Sequence, residues 1–221
     1  MAHTPQALPP EITVLERDWL SANNIVFQGA HSGTAVVDTG YHSHAEHTVA
    51  LLGAALHGRA LDHILNTHLH SDHCGANAAL QAAWPGVRTA VPPGQMAHVR
   101  HWDAYALSYT PTGQHCPPFR ADAALMPGTE VLLGDRPWQI HAAPGHDPHS
   151  IVLFEPQDAL LISADALWEN GFGVVFPELE GEAAFAEVAA TLDLIARLAP
   201  RTVIPGPYTH MTLPTLCRVS L

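Results

Sequence analysis

Thr67-His68-Leu69-His70-Ser71-Asp72-His73 is the stretch on which the reading of this chain turns. It follows a predicted strand, Leu61 to Asn66, and precedes a predicted helix, Ala76 to Ala83, so four ligand-type side chains leave one strand end together. A spacing of two places His68 and His70 on the same side of an extended backbone, while Asp72 and His73 fall where the chain turns. Such a cluster can serve two adjacent metal ions at once. A chance run of surface histidines is a poor account of four ligands packed into six positions.

The composition leans the same way. Seventeen histidines stand in 221 residues, and neutral imidazole is the commonest metal ligand among side chains. The nine basic residues are all arginine, which excludes Schiff-base lysines, Walker-type phosphate binding and Ser-Lys nucleophile pairs. A formal net charge of −12 with no basic run speaks against a nucleic acid or anionic membrane partner and leaves a small-molecule substrate as the expectation. Cys74, Cys116 and Cys217 are odd in number and unpaired in spacing, so neither a disulfide framework nor a thiolate zinc site is expected. The N-terminal residues lack a basic segment followed by an apolar run, and no stretch of about 18 apolar residues occurs. The expectation is a cytoplasmic protein.

Outward from the histidine stretch, short apolar runs at Ile12 to Leu15, Asn24 to Phe27 and Thr34 to Val37 read as strands joined by turns. A helix is predicted at about His44 to Leu56. In the second half, Glu130 to Leu133, Trp138 to Ala142, Ile151 to Phe154 and Leu160 to Ser163 read as consecutive strands. Phe185, Val188, Ala189, Leu192, Ile195 and Ala196 then form one apolar helical face, and Thr202 to Pro205 reads as a last strand. Two similar halves of mixed elements suggest an α/β fold of two sheets packed face to face with helices outside, a four-layer αββα sandwich forming a single domain over 1–221. Roughly Pro92 to Pro118, rich in His, Pro, Tyr and Trp, reads as an insertion over one end of the sheets.

His-x-His-x-Asp-His resembles the signature of the metallo-β-lactamase superfamily, and further stretches of this chain resemble its other motifs in order. Val36-Val37-Asp38-Thr39-Gly40 resembles the first, with Asp38 bracing the histidine loop from behind. Ala143-Pro144-Gly145-His146 resembles the third and Ser163-Ala164-Asp165 the fourth. The resemblance implies one metal held by His68, His70 and His146 and a second held by Asp72 and His73, with Asp165 shared between them. It also implies hydrolysis of a small ester, lactone or thioester by water activated on the metals, with Asp72 orienting that water or passing its proton on. Nitrogen-rich ligand sets with open positions suit zinc, with iron or manganese as alternatives. A different outcome of the same pattern is a mononuclear-iron enzyme that oxidises persulfides, in which His68, His146 and Asp165 would form the metal-binding face. A metal-binding member with impaired catalysis is a third.

One departure stands at the C-terminal end. Where the family pattern reads Pro-Gly-His, this chain reads Pro205-Gly206-Pro207-Tyr208-Thr209-His210. Proline cannot coordinate a metal, so His210 is a candidate replacement and a displaced surface histidine is the alternative. A truncated or frame-shifted end after about residue 206 is one explanation. Around the site, Trp168 to Gly173 is a candidate pocket wall, His149 reads as a non-ligand, and His42, His44 and His47 read as a solvated helix face. Arg100 and Arg120 are the arginines expected near the mouth.

Overall fold

Strand-forming residues alternate between two burial environments along nearly every segment that pairs, and this alternation builds the layers. The computed structural model describes residues 8–17 and 21–206 and the backbone of a short strand, Met211–Thr212. The first sheet runs in sequence order through β1 (Ile12–Leu15), β2 (Asn24–Gln28), β3 (Thr34–Val37), β4 (His63–Leu65), β5 (Arg88–Val91) and β6 (Ala123–Ala124). The second is built from β7 (Glu130–Leu133), β8 (Arg136–Ala142), β9 (Ile151–Glu155), β10 (Leu160–Ala164), β11 (Thr202–Pro205) and β12 (Met211–Thr212), and also runs in sequence order from one edge to the other. In the first, antiparallel pairs give way to the parallel run β3–β4–β5–β6, and in the second one parallel pair, β10–β11, stands between antiparallel ones.

Ile25, Phe27, Val37 and Leu65 point from the first sheet into a common core with Trp138, Ile140, Leu153, Leu160, Ile162 and Ile204 from the second. Their neighbours point the other way. Val26, Val36 and Ile64 meet Leu52, Leu56 and Leu80, which lie on or beside the helices α1 (Ala45–Ala55) and, after a one-turn helix α2 (Ser71–Cys74), α3 (Asn77–Ala83). Between β5 and β6 come α4 (Met96–His101) and α5 (Tyr109–Thr112), and after β10 the one-turn α6 (Phe176–Leu179). Val152, Phe154, Leu161 and Val203 meet Ile195 on the last helix, α7 (Phe185–Leu198). Period-2 alternation thus yields helix, sheet, sheet, helix, the expected four-layer sandwich.

Three details depart from the expectation. The predicted strand Leu61 to Asn66 is shorter, His63–Leu65, although Asp62 and Asn66 at its two ends still bond to Arg88 and Ala90 of β5. The strands β5 and β6 stand where the sequence reading assigns no element, since neither carries a long apolar run and β6 is two residues. The segment 92–118 encloses a core of its own, where Val99, Leu107, Tyr109 and Phe119 pack against Leu69 and Cys74. In that core the Sγ atoms of Cys74 and Cys116 lie 3.8 Å apart, a proximity that their spacing of 42 residues does not announce. No helix among the described residues is long and apolar enough to cross a membrane.

Trp138 is fully buried and meets Phe27 of the opposite sheet edge to face, with ring centroids 5.4 Å apart at 81°. Truncating a side chain of this size leaves a cavity that the two rigid sheets cannot close. Trp138→Ala is therefore expected to lower the unfolding free energy by about 3–5 kcal/mol, read by urea denaturation, and Trp138→Phe by clearly less.

Candidate metal centre

The site forms where strands of both sheets end. Asp38 follows β3 with φ +56°, and Ala164, the last residue of β10, has φ +45° just before Asp165. The first is tolerable because a short polar side chain accepts left-handed backbone. The second is a β-carbon forced into that region, with a register shift in the β10–β11 ladder at the same place, and it directs Asp165 across the seam between the sheets.

His68, His70 and His146 bring ring nitrogens together. His68 Nε2 lies 3.1 Å from His70 Nδ1, which lies 2.8 Å from His146 Nε2. Outer hydrogen bonds fix which nitrogen faces inward. His146 donates from Nδ1 to the Val174 carbonyl at 2.6 Å, leaving a bare lone pair on Nε2. Thr67 gives its hydroxyl proton to Asp38 at 2.7 Å, so its oxygen accepts from His68 Nδ1 at 3.2 Å, leaving His68 Nε2 bare as well. Burial, reinforced by the neighbouring imidazoles, pushes the pKa of His68 well down and that of His70 to about 3. Burial thus favours the neutral form of His68 and His70, whose ring nitrogens are turned toward each other and toward His146. A cation is the partner that fits this donor set.

A second group adjoins the first. His73 donates from Nδ1 to Asp38 Oδ2 at 2.8 Å, and its Nε2 lies 3.4 Å from Asp165 Oδ1 and 3.6 Å from Asp72 Oδ2. The other oxygen of Asp165 is 3.3 Å from His146 Nε2, so this carboxylate spans both groups. Burial opposes the charge on His73, but Asp165, Asp38 and Asp72 outweigh it and raise its pKa well above the usual value. Asp165 is held low against burial, chiefly by His73 and then His146. Asp72 is recessed in the cavity with 37% of its side chain exposed, and burial raises its pKa. Among the described residues, two sets of ligand atoms converge: His68, His70 and His146, and His68, His73 and Asp165. Asp72 stands beside the second set, and Asp38 stands behind both. Pro207 and His210 lie outside the described residues.

In front of the histidines opens a cavity of about 450 Å³ lined by His70, Asp72, His73, His146 and Asp165, with Trp168, Val174 and Phe176 on one side and Ser108, Tyr109, Thr112 and Gln114 of the 92–118 segment on the other. That segment is fastened to the metal loop. Gln114 accepts from the Ser71 hydroxyl at 2.7 Å, and Tyr109 donates to the Leu69 carbonyl at 2.8 Å. Trp168 lies in the wall anticipated from the sequence and donates to Asp165 Oδ1 at 3.3 Å.

The expected arginines do not line this cavity. Arg120 is engaged by Asp122 and the Val87 carbonyl, and Arg100 is exposed. Arg17 lines it instead. His149 is exposed, whereas its neighbour Asp147 is buried with Oδ2 at 3.8 Å from His70 Nε2. Asp147 and Arg17 were missed by sequence reasoning. Adjacency to His146 was the available signal for the first, and there was none for the second. His42 and His44 are half-buried, and the ring of His42 packs edge to face on His115 at 4.4 Å, so the solvated-face reading holds only for His47.

Residues 17–206 match the model of the family described as the metallo-beta-lactamase superfamily. A hydroxyacylglutathione hydrolase of Acidiphilium cryptum (strain JF-5) is 32% identical over 185 residues, covering 83% of this chain and 63% of that protein. This chain therefore spans under two thirds of that relative's length. Among solved structures, the BLEG-1 B3 metallo-beta-lactamase has a TM-score of 0.74 at 22% identity, with 91% of this chain and 93% of that one covered. TTHA1623 in a di-iron-bound form has a TM-score of 0.71 at 23% identity, with coverage of 90% and 94%. Both likenesses concern the fold.

Gly206 supplies a test of the geometry. A β-carbon there would stand 2.5 Å from Asp165 Oδ1 and 3.0 Å from His73 Cε1, and Asp165 cannot retreat without leaving its histidine and tryptophan neighbours. Gly206→Ala is expected to weaken divalent-metal binding about 10- to 100-fold while the metal-free protein stays folded, as measured by metal titration beside circular dichroism.

Proposed function

Because this chain belongs to the metallo-β-lactamase superfamily, we propose that it is a metal-dependent hydrolase of a small ester, lactone or thioester. The observation that carries this reading is the pair of adjoining ligand groups, His68 with His70 and His146, and His68 with His73 and Asp165, in which outer hydrogen bonds to Val174, Thr67 and Asp38 fix the ring orientations of His146, His68 and His73. Zinc suits this set, with iron or manganese as the alternatives. A divalent cation held there would act as a Lewis acid and lower the pKa of water.

The chain's own groups do the rest. Asp165 lies between His73 and His146 and is the shared carboxylate. Asp72 faces the cavity beside His73, where its carboxylate orients the attacking water and carries its proton to the leaving group. Asp38 holds His73 and Thr67 in register. Trp168, Val174 and Phe176 exclude water from one side of the substrate. The relative from Acidiphilium cryptum acts, by its name, on an acylglutathione, which favours a thioester within the class.

Elemental analysis of purified protein is expected to find zinc, and a panel of activated esters, lactones and thioesters is expected to include a substrate. A folded sample that takes up no divalent metal sinks the proposal. His68→Ala should abolish binding at the first group, whereas Asp72→Ala should spare most of that metal and lower kcat by about 10²- to 10⁴-fold. Full activity in Asp72→Ala would remove its assigned role. We also expect calorimetric titration of metal-free protein to show the first group binding more tightly than the second. Two equally tight sites unaffected by His210→Ala would mean that another residue completes the second group.

A further inference from the structure

One cation in the cavity is left unused by the hydrolytic reading. Arg17 is half-buried and lines the same cavity as His70, Asp72, His73, His146 and Asp165. Its Nη1 donates to Asn24 Oδ1 at 2.6 Å and to Thr48 Oγ1 at 2.8 Å, and its backbone N–H donates to Asn23 Oδ1 at 2.9 Å. These partners are themselves fixed, since the Asn24 amide donates to the Asp38 carbonyl at 3.1 Å and the Thr48 hydroxyl lies 3.2 Å from the Thr39 carbonyl. The guanidinium is therefore held against the segment that braces the metal loop.

Only Nη1 is used in this way. A guanidinium carries five N–H donors in a planar fork, and among the described residues neither Nε nor Nη2 of Arg17 has a protein partner. No carboxylate among them forms an ion pair with Arg17 either, whereas Arg136 is enclosed by Glu11, Glu155 and Asp158, and Arg120 holds Asp122. A half-buried cation that no carboxylate among the described residues pairs is held at a cost in free energy. Bracing the loop would need only the two bonds of Nη1. The unused edge of the fork matches the two oxygens of a carboxylate, and in a chain of net charge −12 an anion that reaches the cavity needs a local cation such as this one, beside the metal centre, to retain it.

We propose that Arg17 is the anion-recognising residue of the cavity and that the substrate carries a carboxylate in addition to the carbonyl that is attacked. The substrate is then an anionic ester, lactone or thioester, its carboxylate on Arg17 and its hydrocarbon portion against Trp168, Val174 and Phe176. This rests on the hydrolase reading for the reaction, but the binding of the anion can be measured apart from it.

The test uses the full metal-loaded chain with two matched ester pairs. Mono-4-nitrophenyl glutarate against 4-nitrophenyl butyrate places the carboxylate on the acyl side, and 4-acetoxybenzoate against phenyl acetate places it on the leaving side. In Arg17→Gln the kcat/KM preference for the charged member of one pair is expected to fall about 10- to 100-fold, chiefly through KM, with Arg17→Lys in between. The pair that responds tells which side of the substrate Arg17 holds. A preference unchanged in both pairs, or charged and neutral esters losing activity by the same factor, overturns the proposal and leaves Arg17 a brace. Calorimetric titration with glutarate and with the uncharged butyramide reads the same contact without turnover. Glutarate should lose at least about 10-fold more affinity than butyramide in Arg17→Gln, and equal losses overturn the proposal. Arg17→Lys guards against a folding defect, since it keeps the charge and the stem. A native protein that binds glutarate through Arg17 yet hydrolyses none of the esters refutes the hydrolase reading and leaves the anion site standing.

Discussion

Asp38 accepts from the Thr67 backbone N–H at 2.9 Å, from the Thr67 hydroxyl at 2.7 Å and from His73 Nδ1 at 2.8 Å, all within a region closed to solvent. A buried carboxylate without such donors would be costly, and with them it becomes a rigid centre. Through these bonds one side chain at the end of β3 sets the conformation of the strand end after β4 and the tautomers of two histidines. Other bonds fasten the backbone of this buried loop, among them Thr39 N–H to the His73 carbonyl and the Tyr109 hydroxyl to the Leu69 carbonyl, but it is Asp38 that reaches the ring of His73 directly and that of His68 through Thr67. The left-handed backbone at Asp38 is what aims the carboxylate at that loop.

The opposite wall is organised by space more than by hydrogen bonds. Gly173 approaches His146 so closely that a β-carbon would stand 2.5 Å from Nδ1, and Gly145 approaches Val188 of α7 to 2.7 Å on the same construction. Both lie on loops around the ring whose Nδ1 donates to the Val174 carbonyl. Small residues therefore let main chain, rather than side chain, set the orientation of His146. The first sheet positions its histidines by a buried charge and the second by close backbone packing, two solutions to one problem of ligand preorganisation.

How far the sequence reveals this depends on whether a feature is local. Strands such as Thr34–Val37 and Thr202–Pro205 are short, β-branched and bounded by turn residues, so they can be read directly, and the apolar face of α7 follows from its three- and four-residue steps. Three of the converging side chains, His68, His70 and His73, lie within six positions with Asp72 among them, which is why the centre announces itself. His146 and Asp165 become legible only through motif order. Arg17, Asp147 and the Cys74–Cys116 proximity are products of long-range folding, in which residues tens of positions apart are brought together by sheets that no local pattern orients. Strand β6 escaped for the opposite reason, being too short to carry a period.

Each of the two convergent ligand sets draws on both halves of the chain: His68 and His70 need His146, and His68 and His73 need Asp165. The first members follow β4 and the last follow β8 and β10, elements whose only covalent link is the stretch between β6 and β7. A bound ion would therefore act as a clasp across the sheet interface as well as a chemical centre. Its affinity becomes a gauge of how well the two halves have docked, and two separately made fragments divided near residue 127 would regain the full ligand sets only by complementation.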